Sequence, residues 1–444
     1  MSLNLIDILW TVILAAMPFL AVSPWQVMIQ PPFYYGFIYY VLLAGLGLLI
    51  IFKSRPLVKW DLIKVLLAVF LLINIFSLMM NWIAIDPRSI PWANGLKSPH
   101  IYNIFVVIYL LMNIVTFWLA GEVIVSTKIM ERSIEIIVLA SVLASFWGVI
   151  MVLGHMTGWL KEIILPVNLF PRLTGTATEP QVFGNFLLLG WPLSLALLIK
   201  RSNWLNILSV FILSLSLIMT FSMGAWLGAL GGLLVIGILN YKYLSVKLGL
   251  ILIAVLVLVI GCLAVLSLIY PPYLANFDKY TSKLMVWNVK KEATIYKESI
   301  KGRDPEEYRG DLVNRFDDKL QRIWMGQTAI NMFRTKPLFG VGPGNYGFLY
   351  NEYKPSGTPQ KPFQEKTHNA YLEILAETGI LGSITFLAAM LILLVKSWPR
   401  TLLGAGCYAS VIALLIHGLS FGILAHNYTW LAMGLLWAQK EINV

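Results

Sequence analysis

Residues 365–382 read EKTHNAYLEILAETGILG, and His368 stands where a polar start turns into an apolar helix. Asn369, Glu373 and Glu377 follow at intervals of four. That spacing puts them in one polar stripe on an otherwise apolar helix. Ionisable residues inside a membrane span are costly and usually face a cavity or a partner. A helix N-terminus carries positive partial charge and free N–H groups, which attract anions and disfavour a charged imidazole nearby. A neutral imidazole beside an anion site is what general-base chemistry needs. The competing reading is a histidine that snorkels at the membrane interface. His417 lies near the end of a later apolar run and has no such companions in the sequence.

Two other stretches could carry chemistry. PLFGVGPGNYG, residues 337–347, is rich in glycine. It follows an expected helix rather than a strand, and no Gly-Lys-Ser/Thr follows it, so a nucleotide loop is a poor fit. It reads either as a turn that closes the helix and redirects the chain, or as a nest of backbone N–H groups for a phosphate. FPRLTGTATEPQVFGN, residues 170–185, holds Arg172 and Glu179 among small residues. Pro180 suits the first turn of a helix there. The stretch is either a surface loop with an ion pair or a loop that sets Arg172 over a cavity at the membrane face.

The elements that must position these residues are membrane helices. Of the 444 residues, 58% are hydrophobic and only 12% charged, about half the charge of a soluble protein. Apolar runs expected to span occur at 8–22, 35–52, 65–81, 102–121, 133–154, 181–199, 204–221, 223–240, 248–270, 369–395, 401–416 and 419–438. The first lacks a basic leader, because Asp7 is its only early charge, so it reads as a retained helix. Cys262 and Cys407 both lie in apolar runs, which argues against a disulfide framework. The net charge of +11 points to anionic contacts, either lipid headgroups or a phosphorylated substrate, and not to nucleic acid.

Basic residues alternate between the short connections. Lys53, Arg55, Lys59 and Lys64 follow the second run, Lys128 and Arg132 the fourth, and Lys200 and Arg201 the sixth. Lys242 and Lys247 follow the eighth, and Lys396 and Arg400 the tenth. The opposite loops are poorer in charge. The positive-inside rule therefore puts both termini in the cytoplasm and segment 271–367 outside it. Three units result: helices one to nine over 1–270, an extracytoplasmic helical loop over 271–367, and helices ten to twelve over 368–444. The loop holds sixteen Lys or Arg against eleven Asp or Glu. Within it a helix is expected from Leu312 to Arg334, capped by Asp311 and stopped by Pro337 and Gly340. Leu312, Phe316, Leu320, Ile323, Ala329, Ile330 and Phe333 are roughly spaced to cover one face, and Arg315 and Arg322, seven apart, share a face. VWNVKKEATIYKESIKGR reads as a further helix ahead of it. No fixed repeat is present.

RIWMGQTAINMFRTKPLFGVGPGNYG, residues 322–347, followed by THNAYLEILAETGILG, residues 367–382, resembles the O-antigen ligase and polymerase superfamily of bacterial envelope proteins. The shared pattern is an arginine-tryptophan helix, then Pro-Leu-Phe-Gly-Val-Gly, then His-Asn-x-Tyr-Leu-Glu-x-x-x-Glu-x-Gly. It is dense over residues 320–382. Elsewhere the resemblance is one of topology, with a looser likeness of RLTGTATEPQVFGN to the family's Arg-x-x-Gly stretch. It implies an all-α polytopic membrane protein of about 12 transmembrane helices with one large extracytoplasmic helical loop, similar to type C glycosyltransferases. The implied place is the bacterial inner membrane, with the active site on the extracytoplasmic side.

The implied activity is glycan transfer from undecaprenyl diphosphate. The acceptor is a lipid A-core sugar in ligases and another lipid-linked repeat unit in polymerases. The family's histidine matches His368 and its loop arginine matches Arg322. A second family arginine follows Thr-x-Ser between spans seven and eight, but here the stretch is TFSMGAWLG and Met223 stands in its place. Arg172 or Arg315 would have to serve instead. Glu179, Asn369, Glu373 and Glu377 are expected to line the substrate site with them. No Asp-x-Asp or histidine cluster calls for a metal, and no cofactor is expected. A membrane transporter is the alternative of another class; it should show broken helices and charges near the midplane in two similar halves. The orientation is checked with an impermeant thiol reagent on intact spheroplasts. A cysteine near Arg309 should react and one near Lys59 should not; the reverse would put the candidate residues in the cytoplasm.

Overall fold

The computed structural model describes residues 5–20, 36–54, 61–82, 99–158, 172–177, 179–243, 245–269, 298, 318–358 and 366–442. These form α1 (Leu5–Leu20), α2 (Gly36–Ser54), α3 (Leu62–Met80), α4 (Pro99–Val123), α5 (Thr127–Thr157), α6 (Pro180–Lys200), α7 (Trp204–Met219), α8 (Met223–Leu239) and α9 (Val246–Ile269). Then come α10 (Asp318–Thr335), α11 (Tyr346–Tyr353), α12 (Ala370–Lys396), α13 (Leu402–His417) and α14 (Asn427–Ile442). Each stretch expected to span carries a helix. Among the described residues six helices, α3, α4, α5, α6, α9 and α12, are long and apolar enough to cross a membrane, and α1, α2, α7, α8 and α13 are shorter apolar helices. The protein is thus a multi-pass membrane protein, all-helical among the described residues.

One boundary and one buried face differ from expectation. The last helix begins at Asn427 rather than 419, because residues 418–426 run as a loop whose carbonyls hold other elements. The loop helix is described from Asp318, so the part expected from Leu312, with Arg315, lies outside the described residues, as does VWNVKKEATIYKESIKGR. Its buried face is also rotated. Met325, Ala329 and Met332 are buried against Tyr346, Leu349 and Tyr350 of α11 and Ala376 of α12. Ile323 and Ile330, expected inside, are 40% and 37% exposed. The neighbours of α10 decide which stripe is covered, and they could not be seen in its own periodicity.

Lipid tails are as apolar as leucine, so helices in a membrane are joined by close packing rather than by hydrophobic exclusion. Here α8 supplies a glycine at every fourth position. A Cβ on Gly232 would lie 3.2 Å from the Ala409 carbonyl oxygen, one on Gly228 2.5 Å from that of Ala413, and one on Gly224 2.8 Å from His417 Cδ2. The α8 and α13 backbones therefore run in contact along their length, and α13 packs on α6 through Gly406 against Ala196 in the same way. At the C-terminal end of α6, Lys200 and Arg201 pair with Glu131 at 2.8 and 2.7 Å. Arg172 lies just ahead of the other end of α6.

The most consequential feature is a break in α12. Gly379 has φ 64° and ψ −162°, so the helix is interrupted there. Segment 337–342 fills the gap. Val341 N and Gly342 N donate to the Ala376 and Glu377 carbonyls at 2.9 Å each. Ile380 N and Leu381 N donate to the Pro337 and Leu338 carbonyls at 2.8 and 3.4 Å. From α3, Ser77 Oγ lies 2.5 Å from the Phe339 oxygen and 2.9 Å from that of Glu377. Asn81 Nδ2 donates to the Gly340 carbonyl at 3.1 Å. A carrier would use such a break to line an ion path; here it is filled by protein. Gly340, at φ 66°, would drive a Cβ into the Glu377 carbonyl carbon, whereas Gly357, at φ 76°, has nothing within 4 Å. Both changes to alanine carry about 1–2 kcal/mol of left-handed strain. Gly340→Ala should therefore lower the melting temperature in detergent well beyond Gly357→Ala. Equal losses would mean that the segment is not seated in the break.

Candidate functional site

The N-terminus of α12 is fixed before its side chains are considered. Asn369 Oδ1 accepts from Tyr371 N and Leu372 N at 3.0 Å each, an N-cap that typically contributes about 1 kcal/mol. Ala370 N donates to the Gly418 carbonyl at 2.8 Å, and Asn369 Nδ2 to that of Leu419 at 3.1 Å. The next carbonyl, Ser420, accepts from Arg322 Nη1 at 2.8 Å. Three consecutive carbonyls of the α13–α14 loop thus carry the helix start behind His368 and the guanidinium of Arg322. Arg322 reaches them because it lies on the α10 face that carries Met325 and Ala329 towards α12.

Arg172 arrives from another direction. Its Nε donates to the Thr220 carbonyl at 2.9 Å and its Nη2 to that of Phe221 at 3.4 Å. These carbonyls form the turn between α7 and α8, directly before Met223. The start of α8, which follows that turn, abuts the α13–α14 loop, since a Cβ on Gly224 would overlap Ser420 Oγ. The two arginines are therefore seated on adjoining turns, and one of those turns is where the sequence lacks an arginine at Met223. Phe221 and His368, at φ 49° and 54°, are the described non-glycine residues with positive φ. Such backbone costs on the order of 1–3 kcal/mol and gathers at functional sites.

The polar stripe on α12 forms as expected, but each member is held by protein. Asn369 is the cap. Glu373 and Lys366 lie against Gly422: a Cβ there would be 3.6 Å from Glu373 Oε2 and 3.5 Å from Lys366 Cδ. Glu377 points to the glycine-rich turn. Its Oε1 accepts from Tyr346 N at 3.2 Å, and the carboxylate also accepts from Gly344 N. The glycine-rich turn thus closes α10 and redirects the chain, and the backbone N–H groups that could have cradled a phosphate hold this internal carboxylate. Tyr346, buried beside it, donates its hydroxyl to the Met325 carbonyl at 2.9 Å. Burial above all pushes that hydroxyl well above the usual tyrosine value. Glu179 is exposed at the N-cap of α6 and makes no capping hydrogen bond. Arg315 lies outside the described residues.

A family model described as O-antigen ligase matches residues 208–387. Over these residues the chain is similar to the O-antigen ligase family. The match takes in α8, Arg322 and the start of α12 with His368, and leaves out Arg172 and His417. No curated protein matches the chain. Sequence reasoning located the pieces but missed the loop over residues 418–426 that joins them. His417 was expected to lack companions. Instead it is 1% exposed, bonded through Nδ1 to Asn185 Oδ1 at 2.9 Å and stacked on Phe421 at 5.1 Å. Lys366 was missed as well, although it stands only two residues before His368. The four-residue glycine spacing in α8 could have signalled a close helix partner, but not that the stripe ends on an imidazole.

Proposed function

We propose that this protein is a membrane glycosyltransferase that moves a glycan from undecaprenyl diphosphate to an acceptor hydroxyl, as an O-antigen ligase acting on lipid A-core. The observation that carries the reading is the shared seat. One loop, through the carbonyls of residues 418–420, orders both the helix start behind His368 and the guanidinium of Arg322. A base and an anion ligand brought to one turn are what attack on a phosphate-activated sugar requires.

In this reading His368 accepts the proton of the acceptor hydroxyl as its oxygen attacks the anomeric carbon. Attack comes from the face opposite the diphosphate, so the configuration inverts. The departing group is already an anion and needs positive charge rather than a proton. Arg322 and Arg172 supply it as planar forks, which bind phosphate oxygens in pairs. Carbonyls on Ser420, Thr220 and Phe221 fix the planes of those forks before the donor arrives. Preorganised stabilisation of developing charge commonly contributes several kcal/mol to lowering a barrier. A polymerase would use the same steps with a lipid-linked repeat unit as acceptor.

The test compares two arginines of one helix with purified lipid-diphosphate donor. Arg322→Lys keeps the charge but not the fork, so transfer should fall by roughly 10²-fold. Arg334→Lys, exposed in the last turn of α10, should be tolerated. Equal losses would reduce the role of Arg322 to general positive charge.

A further inference from the structure

The two arginine seats meet on a residue that the proposed chemistry does not use. His417 ends α13 and is buried. Its Nδ1 reaches Asn185 Oδ1 of α6, itself fully buried. One face lies on the Phe421 ring, with planes 14° apart. Phe421 continues the stack to His426 at 5.3 Å and on to Tyr428 at 5.1 Å, which packs on Phe186 of α6 at 5.6 Å. Ser420, whose carbonyl seats Arg322, is tied to the His417 carbonyl: its backbone N donates at 2.9 Å and its Oγ at 3.2 Å. On the other side, Cδ2 fills the space a Cβ on Gly224 would need. Gly224 comes three residues after Phe221, whose carbonyl seats Arg172.

The imidazole is thus a wedge between the α7–α8 turn and the α13–α14 loop, anchored at one edge to α6. The site asks for a thin ring that fits against a glycine, an N–H for Asn185 and a flat face for Phe421. Among side chains, only histidine meets all three at this length. We infer that His417 is a positioning residue that keeps the seats of Arg322 and Arg172 in one register, through its hydrogen bond to Asn185 and its stack on Phe421. The inference rests on the reading of these arginines as diphosphate ligands. It gives His417 no proton to move and no contact with the acceptor. Its effect is confined to the donor side, where two forks must present their donors at one spacing to grip one diphosphate.

The test measures binding of an unglycosylated polyprenyl diphosphate to the purified full chain in detergent, together with transfer kinetics. The variants are His417→Gln, Asn185→Ala and the double variant, with Arg322→Ala as reference. Each single variant should weaken binding about tenfold, and the double variant should be no weaker than the worse single one, because both break one connection. The KM for donor should rise while that for acceptor stays unchanged, a split that general loosening of the fold would not give. Unchanged binding in both single variants, beside a weakened Arg322→Ala, would overturn the inference and leave the diphosphate seat standing. Additive losses in the double variant would overturn the coupling through Asn185. An Arg322→Ala protein that binds normally would overturn the seat itself. Should His417→Gln fail to fold, Asn185→Ala keeps the ring and breaks only the hydrogen bond, and its affinity then decides.

Discussion

A backbone N–H or carbonyl that leaves its helix inside a membrane protein must find another protein partner, because hydrocarbon offers none and each orphan costs several kcal/mol. The break in α12 at Gly379 is the place where this constraint is hardest to meet, and the way it is met organises the site. Segment 337–342 donates to Ala376 and Glu377 and accepts from Ile380 and Leu381, replacing the bonds the helix gave up. The replacement joins the loop helix α10 to α12 by main chain rather than by side chains alone. Arg322 rides on α10 and His368 leads into α12, so their relation is set by backbone geometry that does not drift with rotamers.

The same logic explains why so many polar residues near the site serve the protein itself. Asn369 caps a helix, and Glu377 holds the N–H groups of Gly344 and Tyr346. Ser77 and Asn81 of α3 hold carbonyls of the inserted segment. These groups use their hydrogen bonds to fix a frame, and the frame holds one histidine at positive φ and two arginines seated on carbonyls. A positive φ at His368 is tolerable because residues 369 and 370, just after it, are pinned to the α13–α14 loop. Strain of this kind persists only where neighbours over-determine it.

Much of this was legible in the sequence. Each apolar run expected to span carries a helix among the described residues, and the i, i+4 stripe of Asn369, Glu373 and Glu377 formed at the start of α12. The glycine-rich stretch closed its helix, as Pro337 and Gly340 foretold. What the sequence could not show was which partners those residues would meet. The choice between a phosphate nest and a turn at 337–347 was decided by Glu377, some thirty residues away, which no local pattern connects to Gly344. His417 looked solitary because its companions come from α6, α8 and the loop after it. The buried face of α10 was read in part: Leu320 and Ala329 are buried as expected, whereas Ile323 and Ile330 are exposed because α11 and α12 cover a neighbouring stripe. Helix existence is a property of local periodicity, whereas a site is a property of long-range contacts.

The central claim is that His368 takes the acceptor proton while the arginines hold the donor. The measurement that addresses it most directly is transfer by purified His368→Ala from a polyprenyl-diphosphate-linked glycan, beside donor affinity for the same preparation. General-base catalysis contributes about 10²–10⁴-fold. The account predicts a loss of that size in turnover with donor affinity unchanged. Turnover close to that of the unaltered protein, or weakened donor binding with turnover restored at high donor, would contradict it.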